Sequence, residues 1–406
     1  MIGLRQEGCN VLETIDAVKN ELPDLFADPA RVVTAHDLVL MGTTGRVLLR
    51  GRNFCHVALR KGAQTRCSLV DRSVLRNALA SKLPEGVVRW NAKITAYEHV
   101  TGKVVALLED GSRVVGDVLV GCDGARSHIR AQRAPLLVPA ELGIWHLGRA
   151  FHIDDDPATQ RALERQPLFR AACTGLTRIS APSGLSVMSF VYASPNGERK
   201  LLWSCSFPAQ HRPTTMAELV ARVASEMPGA GADAVLRVMP QSNDMMGEAM
   251  CSVLPDTLQT YGASAVFGDD ADSLVTLLGD AAHKTTTQAG LGATAAFQDA
   301  QDLAHALAGV RPGAAHVGPV LRAYEARMLK RALTVVRASA GNSLFLHTQR
   351  SALKHAMISG AIYAVGCVLA LLQGPGVAWR HLRSFIVASR TYMNKPWMGT
   401  LERSAS

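Results

Sequence analysis

Residues 274–304, LVTLLGDAAHKTTTQAGLGATAAFQDAQDLA, constrain this chain more than any other stretch. They read as a buried strand, a loop of small residues and then a helix. Leu274, Val275, Leu277 and Leu278 form the short apolar run of a buried strand. Gly279 and Asp280 turn the chain out of the sheet. Gly290 and Gly292 carry no side chain, so backbone there can approach a ligand closely. A helix is expected from near Ala293, with Ala296, Ala300, Leu303, Ala304 and Leu307 on its buried side.

The free N–H groups of a first helical turn carry about half a positive charge. They suit a phosphate, a carboxylate or the anionic face of a reduced flavin ring. Asp280 sits at the strand's C-terminal end, where ligands meet open α/β sheets. Its carboxylate would repel a bare phosphate but accept bonds from ribityl or ribose hydroxyls. A whole dinucleotide is therefore favoured over inorganic phosphate. The competing reading is an ordinary glycine-rich loop with Asp280 as a helix cap.

Other elements follow from local signals. DRSVLRNALASKL (71–83) places Leu75, Ala78, Leu79 and Leu83 at helical spacing, and Pro84 ends the run. Asp110-Gly111 marks a hairpin turn between two apolar runs. GLSVMSFVYAS and KLLWSCSF flank an Asn-Gly turn signal, so the middle region reads as antiparallel sheet. TTMAELVARVASEM is a helix capped by Thr214 or Thr215. Residues 317–337 carry Val320, Tyr324, Met328, Ala332 and Val335 on one helical face. GAGADA (229–234) matches the dinucleotide fingerprint only in letters. It follows a helix where the fingerprint needs a strand, so it reads as a loop.

Composition removes other classes. The chain has 406 residues, enough for two or more interleaved domains. Its net charge of +9 is spread out with no Lys/Arg block, and aromatics are only 5%. That argues against a nucleic-acid binder and for a basic face serving anionic cofactors or lipid. None of the eight cysteines has C-x-x-C spacing, so no zinc site is indicated and a reduced intracellular compartment is expected. No signal peptide is visible at the N-terminus.

Several motifs agree with the loop. CDGARSHIR (122–130) carries Asp123, Gly124, Ser127 and Arg130 as D-G-x-x-S-x-x-R. GDAAHKTTTQAGLGAT (279–294) is a G-D-A-A-H loop followed by G-x-G. RSVLRNAL (72–79) gives R-x-x-L-x-x-x-L, and YEARMLKRA (324–332) a late Tyr-Glu…Arg…Arg helix. In this order they resemble the single-component FAD-dependent aromatic hydroxylases, the para-hydroxybenzoate hydroxylase-like monooxygenases, over roughly residues 1–340.

The resemblance implies an α/β fold: an FAD-binding Rossmann-like domain with an inserted antiparallel-sheet substrate domain. The divisions would be 1–130 and 263–340 for the FAD-binding domain, 131–262 for the substrate domain and 341–406 for a helical tail. It implies that Asp280 bonds the ribityl chain. The backbone of Gly290, Leu291, Gly292, Ala293 and Thr294 would cradle the isoalloxazine. Asp123 would serve the pyrophosphate side or nicotinamide entry, and Arg72 would touch the flavin. The local alternatives are a capping Asp280, a turn Asp123 and a solvated Arg72. His283 reads as structural and His128 as a surface residue. No metal is implied, and no catalytic residue is singled out.

The implied activity is hydroxylation or epoxidation of an aromatic or lipophilic substrate. It would use FAD, NADPH or NADH, and dioxygen, through a flavin hydroperoxide. The W-x-W-x-I-P motif of the related halogenases is absent. The family usually has proline where Thr287 stands and asparagine near Thr294. Its first strand, G-x-G-x-x-G turn, following helix and ribose-binding acid have no counterpart here; Met1-Ile2-Gly3-Leu4 aligns with a segment well inside the fold. An incomplete FAD-binding domain is therefore expected, from a truncated gene model or internal start, with a degenerate, non-catalytic remnant as the alternative. In the tail, residues 356–379 hold no charge and are flanked by Arg350, Lys354, Arg380 and Arg383. A helix packed on the protein is favoured over a membrane anchor, so the expected location is cytoplasmic, with membrane-surface association as the alternative.

Overall fold

A computed structural model describes residues 2–4, 6–15, 32–34, 37–52, 68–70, 72–153, 157–173, 175–193, 198–238, 247–268, 273–310 and 317–372. The expected strand forms at Val275–Leu277 and pairs in parallel with Leu119–Gly121, Val275 opposite Leu119 and Leu277 opposite Gly121. Both strands are apolar because helices cover them. Leu277, Ile129, Tyr324, Met328 and Val336 share one core there. A three-stranded meander, Ile94–Val100, Lys103–Leu108 and Arg113–Gly116, lies alongside and turns at Asp110-Gly111, where Gly111 has φ +81°. A shorter antiparallel sheet joins Ile2–Leu4, Ser68–Val70 and Val32–Thr34.

The middle region forms the expected antiparallel sheet. Seven strands run in the order Glu248–Ser252, Ala140–His152, Arg199–Pro208, Ser186–Ala193, Leu176–Ser180, Asp37–Met41 and Val47–Arg52. The last two come from the first 130 residues, and Leu176–Ser180 meets Asp37–Met41 in parallel. The Asn-Gly turn itself lies outside the described residues. Alternation gives the sheet two different faces. Ile179, Val187, Cys205 and Leu147 lie opposite one another on the face that packs against helices Pro167–Ala172 and Met216–Glu226. The other face is polar: Arg178, Met188, Ser204 and Gly148 form one row, and Ser180, Ser186, Ser206 and His146 the next.

Thr215 caps the Met216–Glu226 helix by accepting from Glu218 N–H, while the Glu218 carboxylate accepts from the Thr214 N–H and hydroxyl, a reciprocal cap. The first half of GAGADA, residues 229–231, turns between two helices, with Gly229 pressed against the Thr44 backbone, and its last three residues open helix Ala232–Val238. Its small residues serve chain packing.

Two helices depart from their apolar periodicity. Gly292–Leu307 forms as expected, yet Ala300 and Ala304 are exposed and its buried side is Thr294, Ala295, Asp299 and Leu303. A carboxylate with three inward partners rotates the helix away from its alanine stripe. Val317–His347 runs ten residues beyond 337, and Val320 and Val335 are half-buried beside its buried line of Leu321, Tyr324, Met328, Ala332 and Val336. In the tail, helix Ala352–Leu372 packs on edge strand Val47–Arg52, with the Arg46 guanidinium 4.0 Å above the Tyr363 ring. Covering an edge strand removes a site of unwanted pairing. Among the described residues, no helix is long and apolar enough to cross a membrane, and residues 373–379 lie outside them.

Candidate functional site

The two parallel strands end side by side, so the loops that follow them converge. Gly121 leads into Cys122-Asp123-Gly124, and Leu277 into Gly279-Asp280. Arg130 ties the loops together. Its buried guanidinium donates to the carbonyls of Ala125 (2.7 Å), Ala281 (3.3 Å), Asp280 (3.4 Å) and Gly124 (3.5 Å). Burial pulls its pKa down while Asp123 and Asp280 push it back up. Asp123 is exposed, and its Oδ2 accepts from the backbone N–H of His128 (2.8 Å) and Ile129 (3.3 Å). Ser127 caps the His128–Arg133 helix by accepting from Arg130 N–H, and His128 is on the surface as expected.

Gly279 has φ +61° and ψ −142°, a conformation open essentially to glycine alone. A Cβ there would meet the Ala296 methyl at 3.0 Å, so the turn lies directly on the following helix. Asp280 is 38% exposed at its side chain and has Lys284 Nζ 3.4 Å away. Gly290 is left-handed with φ +60°, and the space a Cβ would fill there is open. At Gly292 a Cβ would lie 2.9 Å from Thr285 Oγ1 and 3.5 Å from Asp280 Oδ1, so this backbone and the carboxylate are close neighbours. The helix that begins at Gly292 has no side-chain cap at Leu291, the usual protein partner of the first N–H groups of a helix.

The remaining expected residues lie on elements packed around this point. Ala293 and Phe297 share a small core with Leu4, Leu12 and Leu75, so the Arg72–Ala80 helix abuts the start of the Gly292–Leu307 helix. Arg72 is the exposed first residue of that helix. Thr294 is buried, with Gly8 of the Gln6–Glu13 helix against it.

His283 is buried and structural in setting, and its partner, Asp299, carries no motif that marks it in the sequence. Its Nε2 lies 2.5 Å from Asp299 Oδ2, which also accepts from Gly279 N–H at 3.0 Å. Asp299 Oδ1 accepts from Arg331 at 2.8 Å. Burial pushes the Asp299 pKa up, but the His283, Arg331 and Gly279 bonds outweigh it and hold the carboxyl below its usual range. Residues 293–307 hold two aspartates, 299 and 302, and Asp299 is the one in helical register with the buried Ala295 and Leu303.

Beyond His283 the loop runs over the polar face of the seven-stranded sheet. Thr286 Oγ1 lies 2.7 Å from both Ser339 Oγ and Ser343 Oγ of the long helix. Arg178 Nη2 donates to the Gln288 carbonyl at 3.1 Å, and the Gln288 side chain reaches Ser206. Two surface clefts, one around His211, Arg212 and Glu226 and one on the apolar meander around Ile94, Val104 and Val114, include none of these loop residues.

An uncapped helix start, an open left-handed glycine and an adjacent exposed carboxylate match the needs of a flavin dinucleotide: donors for an electron-rich ring, an acceptor for its hydroxylated chain. Fold and site together define an α/β dinucleotide-cofactor protein. The comparisons give the family. The FAD binding domain family matches residues 71–339. Salicylate hydroxylase of Pseudomonas putida is 26% identical over 294 residues, 67% of this chain and 62% of that protein. The FAD-dependent monooxygenase phnB of Penicillium herquei is 26% identical over 285 residues, 68% of this chain and 66% of that one. The chain thus spans just under two thirds of the length of these relatives. The structure of Klebsiella pneumoniae HpxO complexed with FAD and uric acid shares the fold, with TM-score 0.63, 18% identity and coverage of 89% of this chain and 83% of that one. The chain belongs to the family of FAD-dependent aromatic hydroxylases.

Proposed function

We propose that this chain is an FAD-dependent monooxygenase that hydroxylates or epoxidises an aromatic or lipophilic substrate with NADPH or NADH and dioxygen. The observation that carries the reading is the placement of the Asp280 carboxylate beside the uncapped helix start at Gly292, at the C-terminal end of the parallel strand pair. Relatives named for salicylate hydroxylation and for FAD with uric acid support a small ring compound as substrate.

FAD, when bound, supplies electron transfer from the nicotinamide and activation of oxygen. The chain's own residues bind and orient. The backbone of Gly290, Leu291, Gly292, Ala293 and Thr294 would cradle the electron-rich edge of the ring, with the Gly290 N–H itself held by the Thr287 carbonyl. Asp280 accepts ribityl hydroxyls, with Lys284 offsetting part of its charge. Asp123 orders the loop at the pyrophosphate side, and Arg72 stands at the flavin's border. The polar face of the seven-stranded sheet, under residues 285–290, is the substrate side.

Titration of the purified protein with FAD, followed by flavin fluorescence and by NADPH and NADH oxidation, tests this. Saturable binding that weakens in Asp280→Ala is expected. An affinity for FAD that is absent, or unaltered in the variant, would sink the assignment.

A further inference from the structure

The polar face of the sheet holds a hydrogen-bond chain whose direction can be worked out atom by atom. His347, 6% exposed at the end of the long helix, has Nδ1 2.6 Å from the Ser343 carbonyl and Nε2 2.7 Å from Ser206 Oγ. A carbonyl only accepts, so Nδ1 carries the proton. Burial pushes the His347 pKa down to about 4, and Arg178, His146 and Arg350 add to that against the Ser343 bond, so the ring is neutral. Nε2 is then a bare lone pair, and the Ser206 hydroxyl must donate its single proton to it. Ser206 Oγ therefore faces Gln288, 3.0 Å away, as an acceptor. Gln288 must present its NH2 group to Ser206, which leaves Oε1 as the unpaired atom of the amide.

That carbonyl oxygen is the one end of the chain left unmet. Gln288 is 9% exposed, and its Oε1 is buried with no hydrogen-bond partner among the described residues. A buried amide oxygen without a donor costs about 1–3 kcal/mol. The Arg178 bond to the Gln288 backbone carbonyl keeps the residue from turning away to relieve it. Gln288 stands two residues before Gly290, where the cradle proposed for the flavin ring begins, and its side chain reaches Ser206 on the polar face of the sheet.

We propose that Gln288 is a specificity-determining residue, whose Oε1 accepts a hydrogen bond from a neutral N–H or O–H group on a ring substrate, with Ser206 and His347 as the positioning residues that fix its amide. The substrate class is thus a flat organic ring bearing a neutral donor; a ring whose only polar group is an acceptor leaves Oε1 unpaired. This rests on the function proposed above, since the ring is placed by the flavin beside it.

The test uses the FAD-loaded protein and matched ligand pairs, 4-hydroxybenzoate against 4-methoxybenzoate and indole against 1-methylindole, read by perturbation of the flavin absorbance. The donor-bearing member of at least one pair should bind about tenfold more tightly than its methylated partner, the difference expected for one buried unpaired acceptor. Gln288→Met, which keeps the side chain's length, should erase that preference while leaving FAD affinity unchanged. Nitrogen NMR of His347 in the wild-type protein gives an independent readout: protonated Nδ1 and bare Nε2 are expected. Equal binding within both pairs, no binding by either donor, or the opposite His347 tautomer would overturn the proposal. Failure to load FAD at all would instead overturn the reading on which it rests.

Discussion

His283 Nε2 and Asp299 Oδ2 lie 2.5 Å apart, and both side chains are 1% exposed. The same carboxylate holds Gly279 N–H and Arg331, so one buried group fastens the turn before Asp280 to two helices. Removing one partner of a buried charged pair costs about 3–5 kcal/mol. Asp299→Ala should lose stability of that order in urea unfolding. A loss within experimental error would show that the turn is held by packing alone.

The pH dependence of this group has a definite sign. Its folded-state pKa is depressed, so its stabilisation is full above the ordinary Asp value of about 3.9 and is lost as pH falls through the lower folded value. Asp299→Asn should therefore flatten the acid limb of the stability curve. An unchanged acid limb would contradict a depressed pKa.

Glu325 behaves in the opposite way. It is buried, bonded to Arg133 at 3.3 Å and to the Thr276 hydroxyl at 2.9 Å. Burial pushes its pKa up to about 7, against the pull of Arg133 and Thr276. A carboxyl whose folded pKa is raised binds a proton more tightly in the folded state, so stability falls as pH rises from about 4.3 to that value. Thermal unfolding between pH 4 and 8 should show this slope in the wild type. Glu325→Gln should lack it; identical slopes would refute the raised value.

Arg130 bridges the two loops through four carbonyls, a reach that matches a planar guanidinium and not a single ammonium. Arg130→Lys should destabilise by about 2 kcal/mol, within the range for loss of a buried hydrogen-bond network. FAD affinity should fall with it, because both loop ends would drift apart. Full retention of both properties would show that Arg130 is not the tie between the loops.

At the turn itself, Gly279→Ala places a methyl group 3.0 Å from Ala296 in a backbone conformation worth about 1–3 kcal/mol of strain. The fold should survive with lowered Tm, and FAD binding should weaken more than in Asp280→Ala. Asp280→Ala removes only acceptor bonds, each worth about 1.5–3 kcal/mol when charged. Calorimetric titration of both variants with FAD checks the order; the reverse order would mean that the turn adapts.

What the sequence determined by itself is local. The strand at Val275–Leu277, the turn at Gly279, the helix from Gly292, the Asp110-Gly111 hairpin and the Thr215 cap each depend on residues within a few positions of one another. Periodicity, positive-φ glycines and caps act at that range. The motif match extended this to the family, since Asp123, Arg130 and Asp280 keep their spacing. Only the tertiary structure decided which side of the Gly292–Leu307 helix is buried. Asp299 faces inward because Gly279, His283 and Arg331 supply its partners, and Arg331 lies 32 residues away in the chain. Arg133 meets Glu325 across 192 residues, and Gln288 meets Ser206 across 82. The Asp37–Met41 and Val47–Arg52 strands likewise join a sheet whose other members begin about a hundred residues later. A buried polar group gains stability only from partners that the fold brings to it, so its orientation is a property of the assembled chain rather than of its neighbours in sequence.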